Sequence, residues 1–197
     1  MLNARHRTLV RSTLTLAFTL GTLGTGMMMA ASVSGCAKEQ STTQTSGGAE
    51  PAELAVGKPA PDFSVKASDG TKLALTELKG KPVVVYFYPK DETPGCTKEA
   101  CSFRDAFDAL KAQGVVLIGV SSDSDESHRA FAEHHKLPFY LVSDENGDLA
   151  KKFGVGSTFG FTQRQSFVIG ADGNVRKIYR SVDVAVHAQQ IQDDLKP

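Results

Sequence analysis

The sequence has no excess of charge of either sign. Its 197 residues include 22 Lys and Arg against 22 Asp and Glu, which gives a formal net charge of zero. Proteins that bind nucleic acid usually carry a basic patch or a basic excess, so this balance gives no support for a nucleic-acid partner. The hydrophobic content of 41% is ordinary for a globular core, and the length suits one domain plus appendages.

Cysteine is scarce, and the common metal-binding motifs are missing. Three cysteines are too few for a disulfide framework. Neither CxxC nor HExxH occurs in the sequence, so no metal is expected, nor any haem or flavin. His128, His134 and His135 are therefore predicted to lie on a solvated helix face, and His187 is predicted to lie at the surface.

No hydrophobic run is strongly apolar. The best candidate, Leu14 to Ala31, contains several Thr and Gly and is poor material for a stable membrane span. Three arginines precede it, and small residues follow it up to Cys36. A basic start, an apolar stretch and small residues before a boundary are typical of a secretory signal.

The string VSGC, which ends at Cys36, resembles a bacterial lipobox. The resemblance implies that residues 1–35 are a cleaved signal peptide and that Cys36 is lipidated and anchors the protein to a membrane of the cell envelope, facing the periplasm or the exterior. The alternatives are an uncleaved anchor and a cleaved, freely secreted protein.

Residues 36–54 have no apolar period and are predicted to be a flexible tether, of which fifteen residues would span about 20 Å. Residues 55–197 are predicted to form the domain.

The most informative stretch of the domain joins a strand to a helix through a short polar loop. Six β-branched and aromatic residues, Val83 to Tyr88, predict a buried strand. Lys90 to Gly95 form the loop, and apolar residues spaced three or four apart predict a helix from Cys96 to about Gly114. The thiol of Cys96 therefore lies in the first helical turn, where free N–H groups and the helix dipole favour the nucleophilic thiolate.

The remaining segments predict an α/β fold with a central mixed sheet flanked by helices. After an opening hairpin, the further strands are predicted at 115–120, 139–142, 163–169 and 175–179, and the further helices at 126–136, 149–153 and 184–195. Strands that alternate with helices and then a closing hairpin are typical of a mixed α/β sandwich. The nucleophile lies at the carboxyl end of an interior strand, where open α/β sheets place active sites.

The spacing PxxxTxxC, formed by Pro89, Thr93 and Cys96, resembles the active-site motif of the peroxiredoxins. The longer string TPGCTKEAC, in which Cys101 follows five positions after Cys96, resembles their Q-type subfamily, also called bacterioferritin comigratory proteins. The resemblance implies a thioredoxin-like fold, a peroxidatic Cys96 and a resolving Cys101. It covers the chain from about Val56 to its end.

The same resemblance assigns two further site residues. Glu99 matches an acidic position of the motif, and Arg164 in RQSFVIG matches the active-site arginine, with Arg104 and Arg129 as weaker candidates for that role. Thr93 is expected to give a hydroxyl hydrogen bond to the sulfur and to position the substrate oxygen. Many Q-type relatives carry a longer insertion before the arginine than this chain has.

The resemblance implies a thiol-dependent peroxidase that reduces hydrogen peroxide and organic hydroperoxides and is reset by a thioredoxin-like dithiol reductant. It also implies a monomer. Residues five apart in a helix lie about 8–9 Å apart at Cα, whereas a disulfide needs about 7 Å or less. Cys96 and Cys101 are therefore expected to bridge only after local unwinding, and a purely structural disulfide between them is disfavoured.

Two other function classes fit the same domain. The first is an envelope thiol-disulfide oxidoreductase that acts on protein disulfides, although such proteins usually carry two residues between their cysteines and this chain has four. The second is a non-enzymatic binding or adhesion lipoprotein. Peroxide consumption by the purified protein distinguishes all three.

Overall fold

The computed structural model describes residues 54–196. The predicted signal peptide, nearly all of the tether, and Cys36 lie outside these residues. In chain order the strands are β1 Ser64–Lys66, β2 Lys72–Ala74, β3 Val83–Phe87, β4 Val116–Ser121, β5 Tyr140–Ser143, β6 Ser157–Thr158, β7 Phe161–Thr162, β8 Gln165–Ile169 and β9 Val175–Tyr179. The helices are α1 Pro94–Asp105, α2 Phe107–Ala112, α3 Asp125–His135, α4 Asp148–Lys152 and α5 His187–Asp194, and Leu75–Leu78 forms a 3₁₀ turn.

Five strands form the central sheet, in the order β5-β4-β3-β8-β9. Strands β3, β4 and β5 are parallel to one another, whereas β8 runs antiparallel to both β3 and β9. The predicted mixed sheet is thus confirmed. Hairpins β1–β2 and β6–β7 form two small separate sheets.

Strand β3 lies at the centre of the sheet, and its side chains face two hydrophobic cores. All five of its residues are buried, as a strand covered on both faces requires. Because side chains alternate along a strand, Val84 and Tyr86 face a core shared with α1, α2, α3 and α5. Val85 and Phe87 face the other core, to which α4 and the β1–β2 hairpin contribute.

The helix predicted from Cys96 to about Gly114 differs in two respects. It begins two residues earlier, with Pro94 in its first turn, a position where the missing proline N–H costs nothing. It is also divided at Ala106, whose ψ of −4° departs from the helical value, so that α1 and α2 are separate helices.

Residues Ser157–Thr162 form a tight hairpin that the sequence did not predict. Phe159 and Gly160 occupy its turn with φ of 52° and 81°, which are the positive values that two-residue hairpin turns require. The side chain of Phe159 is 95% exposed. No helix of residues 54–196 combines the length and apolarity that crossing a membrane requires.

Candidate active site

The sheet register brings Arg164 to the start of the loop that precedes α1. Phe87, the last residue of β3, pairs with Gln165, the first residue of β8. In an antiparallel pair the preceding residue, Arg164, then lies beside the end of β3, where the loop toward Cys96 begins. Two segments distant in sequence thus converge at one edge of the sheet.

Cys96 lies in the first turn of α1, and Arg164 donates a hydrogen bond to it. The Nη2 of Arg164 is 3.0 Å from the Sγ of Cys96, and the cysteine is only 2% exposed. A guanidinium at hydrogen-bond distance and the unpaired N–H groups of a helix start both stabilise a thiolate. This is the arrangement that a nucleophilic cysteine requires.

Glu99, one turn further along α1, holds the other end of the same guanidinium. The Nη1 of Arg164 donates to Oε2 of Glu99, while Oε1 of Glu99 accepts no hydrogen bond within the described residues. Burial raises the pKa of Glu99 to about 7, and the positive charge of Arg164 opposes part of that rise. Burial lowers the pKa of Arg164, but Glu99 and Cys96 outweigh it and the net pKa is raised. Arg164 therefore stays charged beside the sulfur.

Replacing Glu99 with Gln is expected to weaken the pH dependence of stability between about pH 4.5 and pH 7. The unfolded carboxyl loses its proton near its ordinary pKa of 4.5, whereas the folded carboxyl keeps it until about 7. The folded state binds more protons in this window, so its free energy of unfolding falls as pH rises. Urea unfolding at about pH 5 and about pH 8 should show that wild type loses up to about 3 kcal/mol more than Glu99→Gln. If the free energy of unfolding fell equally in the two proteins, Glu99 would not be the group that causes this pH dependence.

A buried polar network anchors the loop between β3 and α1 to α3. Asp91 accepts hydrogen bonds from Tyr88 Oη at 2.7 Å and from Ser127 Oγ at 2.7 Å, and it contacts Nδ1 of His128 at 2.9 Å. Its backbone N–H donates to Asp123 at 2.8 Å. Burial opposes ionisation of Asp91, but the contact with His128 and the other hydrogen bonds outweigh it and lower the pKa. The loop is thereby held in one conformation.

Two histidines were wrongly predicted to be exposed. His128 and His187 are both fully buried. Nε2 of His187 lies 2.8 Å from Ser166 Oγ on β8, and burial lowers the pKa of His187 to about 4, so the ring is neutral. The sequence did contain a signal, because each histidine lies three or four residues before a buried apolar residue of its helix, Phe131 or Ile191.

The other predicted site residues occupy the loop and helix as follows. Pro89 lies two residues after the end of β3, and Thr93 is the N-cap residue of α1. The Thr93 hydroxyl donates to the carbonyl of Lys90 at 3.0 Å instead of to the sulfur. Cys101 is half-buried within α1, and both it and Cys96 are free thiols.

The two weaker arginine candidates make their hydrogen bonds to groups other than Cys96 within the described residues. Arg104 pairs with the carboxylate of Asp105 at 2.8 Å and donates to the carbonyl of His135. Arg129 donates to the carbonyl of Ser68 at 3.2 Å. Of the three arginines considered from the sequence, Arg164 is the one that contacts the sulfur.

Residues 56–178, which include Cys96, Glu99 and Arg164, match the model of the AhpC/TSA family. The chain belongs to the AhpC/TSA family. The chloroplastic peroxiredoxin Q of Gentiana triflora is 47% identical over 132 residues, which are 66% of this chain and 61% of the plant protein. The chain thus spans about three fifths of that relative's length.

Solved structures of AhpC/TSA relatives share the fold. Peroxidoxin BcpB from Mycobacterium tuberculosis aligns with a TM-score of 0.67 and 33% identity over 72% of this chain and 96% of its own. The bacterioferritin comigratory protein of Xanthomonas campestris aligns with a TM-score of 0.63 and 34% identity over 68% of this chain and 89% of its own. The predicted thioredoxin-like fold is therefore confirmed for this AhpC/TSA protein.

Proposed function

We propose that the protein is a thiol peroxidase that reduces hydrogen peroxide and organic hydroperoxides with Cys96 as its nucleophile. The observation that carries this proposal is the 3.0 Å contact between Arg164 Nη2 and Cys96 Sγ at the start of α1. The Xanthomonas campestris relative, whose structure was described for its alkyl peroxide reduction activity, supports organic hydroperoxides as a substrate class.

In the first step the thiolate of Cys96 attacks one oxygen of the peroxide. The S–O bond forms as the O–O bond breaks, so the sulfur is oxidised to sulfenic acid and the peroxide is reduced. The leaving oxygen takes a proton from solvent and departs as water or an alcohol. Arg164 serves this step because its guanidinium stabilises the thiolate and lies where negative charge develops on the peroxide oxygens. Thr93, at the N-cap beside Cys96, is proposed to position the substrate oxygen, and Pro89 to shield the site.

In the second step the thiol of Cys101 condenses with the sulfenic acid of Cys96. Water leaves and an intramolecular disulfide forms. A thioredoxin-like dithiol reductant then returns both sulfurs to thiols through a mixed disulfide, and is itself oxidised. Cys101 is proposed as the resolving thiol because it and Cys96 are both free and lie in the same helix. The working unit is proposed to be a monomer.

Oxidation is expected to unwind part of α1. Both cysteines lie within the helix, about 8–9 Å apart at Cα by helix dimensions, and a disulfide cannot span that distance. Amide hydrogen exchange should show that protection of residues 99–104 falls on oxidation, while β3 and β4 stay protected.

The matched control for this exchange experiment is Cys101→Ser, treated with the same peroxide. This variant forms no Cys96–Cys101 bond, so its helix should keep its protection. If α1 of the wild type were equally protected in both redox states, with the disulfide confirmed by mass spectrometry, the unwinding step would be wrong.

Peroxide consumption by the purified protein, with dithiothreitol as the reductant, tests the proposed activity. Sustained consumption at a rate far above that of dithiothreitol alone is the expected result. A protein that reduces disulfide substrates but leaves peroxide untouched would instead be a thiol-disulfide oxidoreductase, and one that does neither would be a binding protein.

We further propose that the domain is anchored to a membrane of the cell envelope through a lipidated Cys36. The support is the sequence pattern of residues 1–36 alone. Radiolabelled palmitate should enter the full-length protein in a bacterial host, and Cys36→Ala should prevent the labelling. A mature N-terminus at a residue other than Cys36 would overturn the lipoprotein assignment.

A further inference from the structure

Glu92, His134 and His135 converge where the loop before α1 meets the end of α3. Nδ1 of His134 lies 3.1 Å from Oε1 of Glu92, and Nε2 of His135 lies 3.0 Å from Oε2. The two imidazole rings are 4.2 Å apart at their centroids. One candidate ligand atom from each residue lies within 4.8 Å of the other two.

The chain places these side chains through two local features. His134 and His135 occupy the last turn of α3, which ends at Lys136 in the left-handed conformation. Glu92 has a φ of 58°, a left-handed value that is uncommon for a residue with a side chain. Asp91, which directly precedes Glu92, is held by the buried hydrogen-bond network described above. The loop therefore positions Glu92 against α3.

Two imidazole nitrogens and a carboxylate are the donor set that zinc and its neighbours among the divalent transition metals prefer. Two ligand atoms, each about 2.1 Å from a shared ion, lie about 3.0 Å apart at a right angle and about 3.4 Å apart at a tetrahedral angle. The observed nitrogen–oxygen distances of 3.0 and 3.1 Å are close to these values. We propose that Glu92, His134 and His135 bind a divalent transition-metal ion.

Exposure gives the ion access to the site and distinguishes it from the active site. The side chains of His134 and Glu92 are 68% and 50% exposed, and that of His135 is 16% exposed. With a bidentate Glu92 and two histidines the protein supplies four donor atoms or fewer, so water completes the shell. His135 packs its ring on Phe131 at 5.0 Å, which fixes one ligand while the other two adjust.

A metal at this position joins the active-site loop to α3. Glu92 directly precedes Thr93, the N-cap residue of α1, and the carbonyl of His135 already accepts a hydrogen bond from Arg104 of α1 at 3.0 Å. The C-terminal part of α1 thus already contacts the end of α3 through Arg104. The ion would connect the start of α1 to the same end of α3. Binding to the folded state should raise the melting temperature of the protein.

Zinc titration of the reduced full-length protein in detergent tests the site, with zinc chloride as the only added metal. Wild type should bind one more equivalent of zinc than either Glu92→Gln or His134→Gln. If a variant still binds that equivalent, its affinity should be at least about tenfold lower than that of the wild type. Its melting temperature should rise by about 5 °C or more at a zinc concentration about 100 times the Kd. Most of that rise should be absent from both variants.

Glu133→Gln is the matched control, because Glu133 is an exposed neighbour on α3 outside the cluster. It should bind zinc as the wild type does. All four proteins carry the same cysteines, so zinc held by thiols contributes equally and cancels in the comparison. Equal zinc stoichiometry, affinity and melting shift in wild type and both cluster variants would overturn the proposal.

Discussion

Replacing Cys96 with Ser is expected to abolish peroxide turnover, with a loss of at least about a thousandfold. A serine hydroxyl in the first turn of α1 receives the same hydrogen bond from Arg164, but it is not ionised near neutral pH and it is not oxidised by peroxide. The sulfur is therefore the one atom of the site that the chemistry cannot replace. Steady-state peroxide consumption with excess dithiothreitol measures the loss.

Cys101→Ser is the control that separates the two thiols. This variant keeps the Cys96–Arg164 contact and should consume one equivalent of peroxide rapidly before it stalls as sulfenic acid or overoxidises. If Cys101→Ser lost the first equivalent and Cys96→Ser kept it, the two roles would be reversed.

Replacing Arg164 with Gln is expected to slow the peroxide step by about 100-fold to 1000-fold. The guanidinium uses Nη2 to hold Cys96 and Nη1 to hold Glu99, so the variant loses the charge beside the thiolate and the donor for the developing oxyanion. Arg164→Lys keeps the charge but cannot make both contacts as a planar guanidinium does. Its rate for the peroxide step should lie between those of the wild type and Arg164→Gln. Stopped-flow measurement of Cys96 oxidation isolates this step from disulfide formation.

Arg129→Gln is the matched control for Arg164→Gln. Arg129 was a candidate for the same role on sequence grounds, but it contacts the carbonyl of Ser68, away from the sulfur. Its replacement should leave the peroxide step unchanged. A rate for Arg164→Gln equal to that of the wild type, in a folded protein, would remove Arg164 from the reaction.

The parts of the site that the sequence could predict are local ones. The strand before Pro89 follows from six consecutive apolar residues, and the position of Cys96 at a helix start follows from the turn residues before it. The role of Arg164 rested on resemblance, and only the register between β3 and β8 shows why a residue 68 positions away reaches the sulfur.

The parts that the sequence could not predict depend on contacts between distant segments. From the sequence, His128 is one of three histidines predicted to lie on a solvated helix face. In the structure it is buried against Asp91, which lies 37 positions earlier in the chain. Glu92 lies more than 40 positions before His134 and His135, and the three side chains come together only when the loop packs against α3. The division of α1 from α2 at Ala106 leaves no mark on the apolar periodicity, because the buried face continues from Phe103 to Leu110.

The most direct measurement is mass spectrometry of Cys101→Ser after one equivalent of hydrogen peroxide, with a sulfenic-acid trapping reagent and without reductant. Because the thiolate of Cys96 is proposed to take an oxygen atom from the peroxide, one trapped sulfenic acid per chain is expected, on Cys96. Consumption of the peroxide with Cys96 recovered as an unmodified thiol would contradict it.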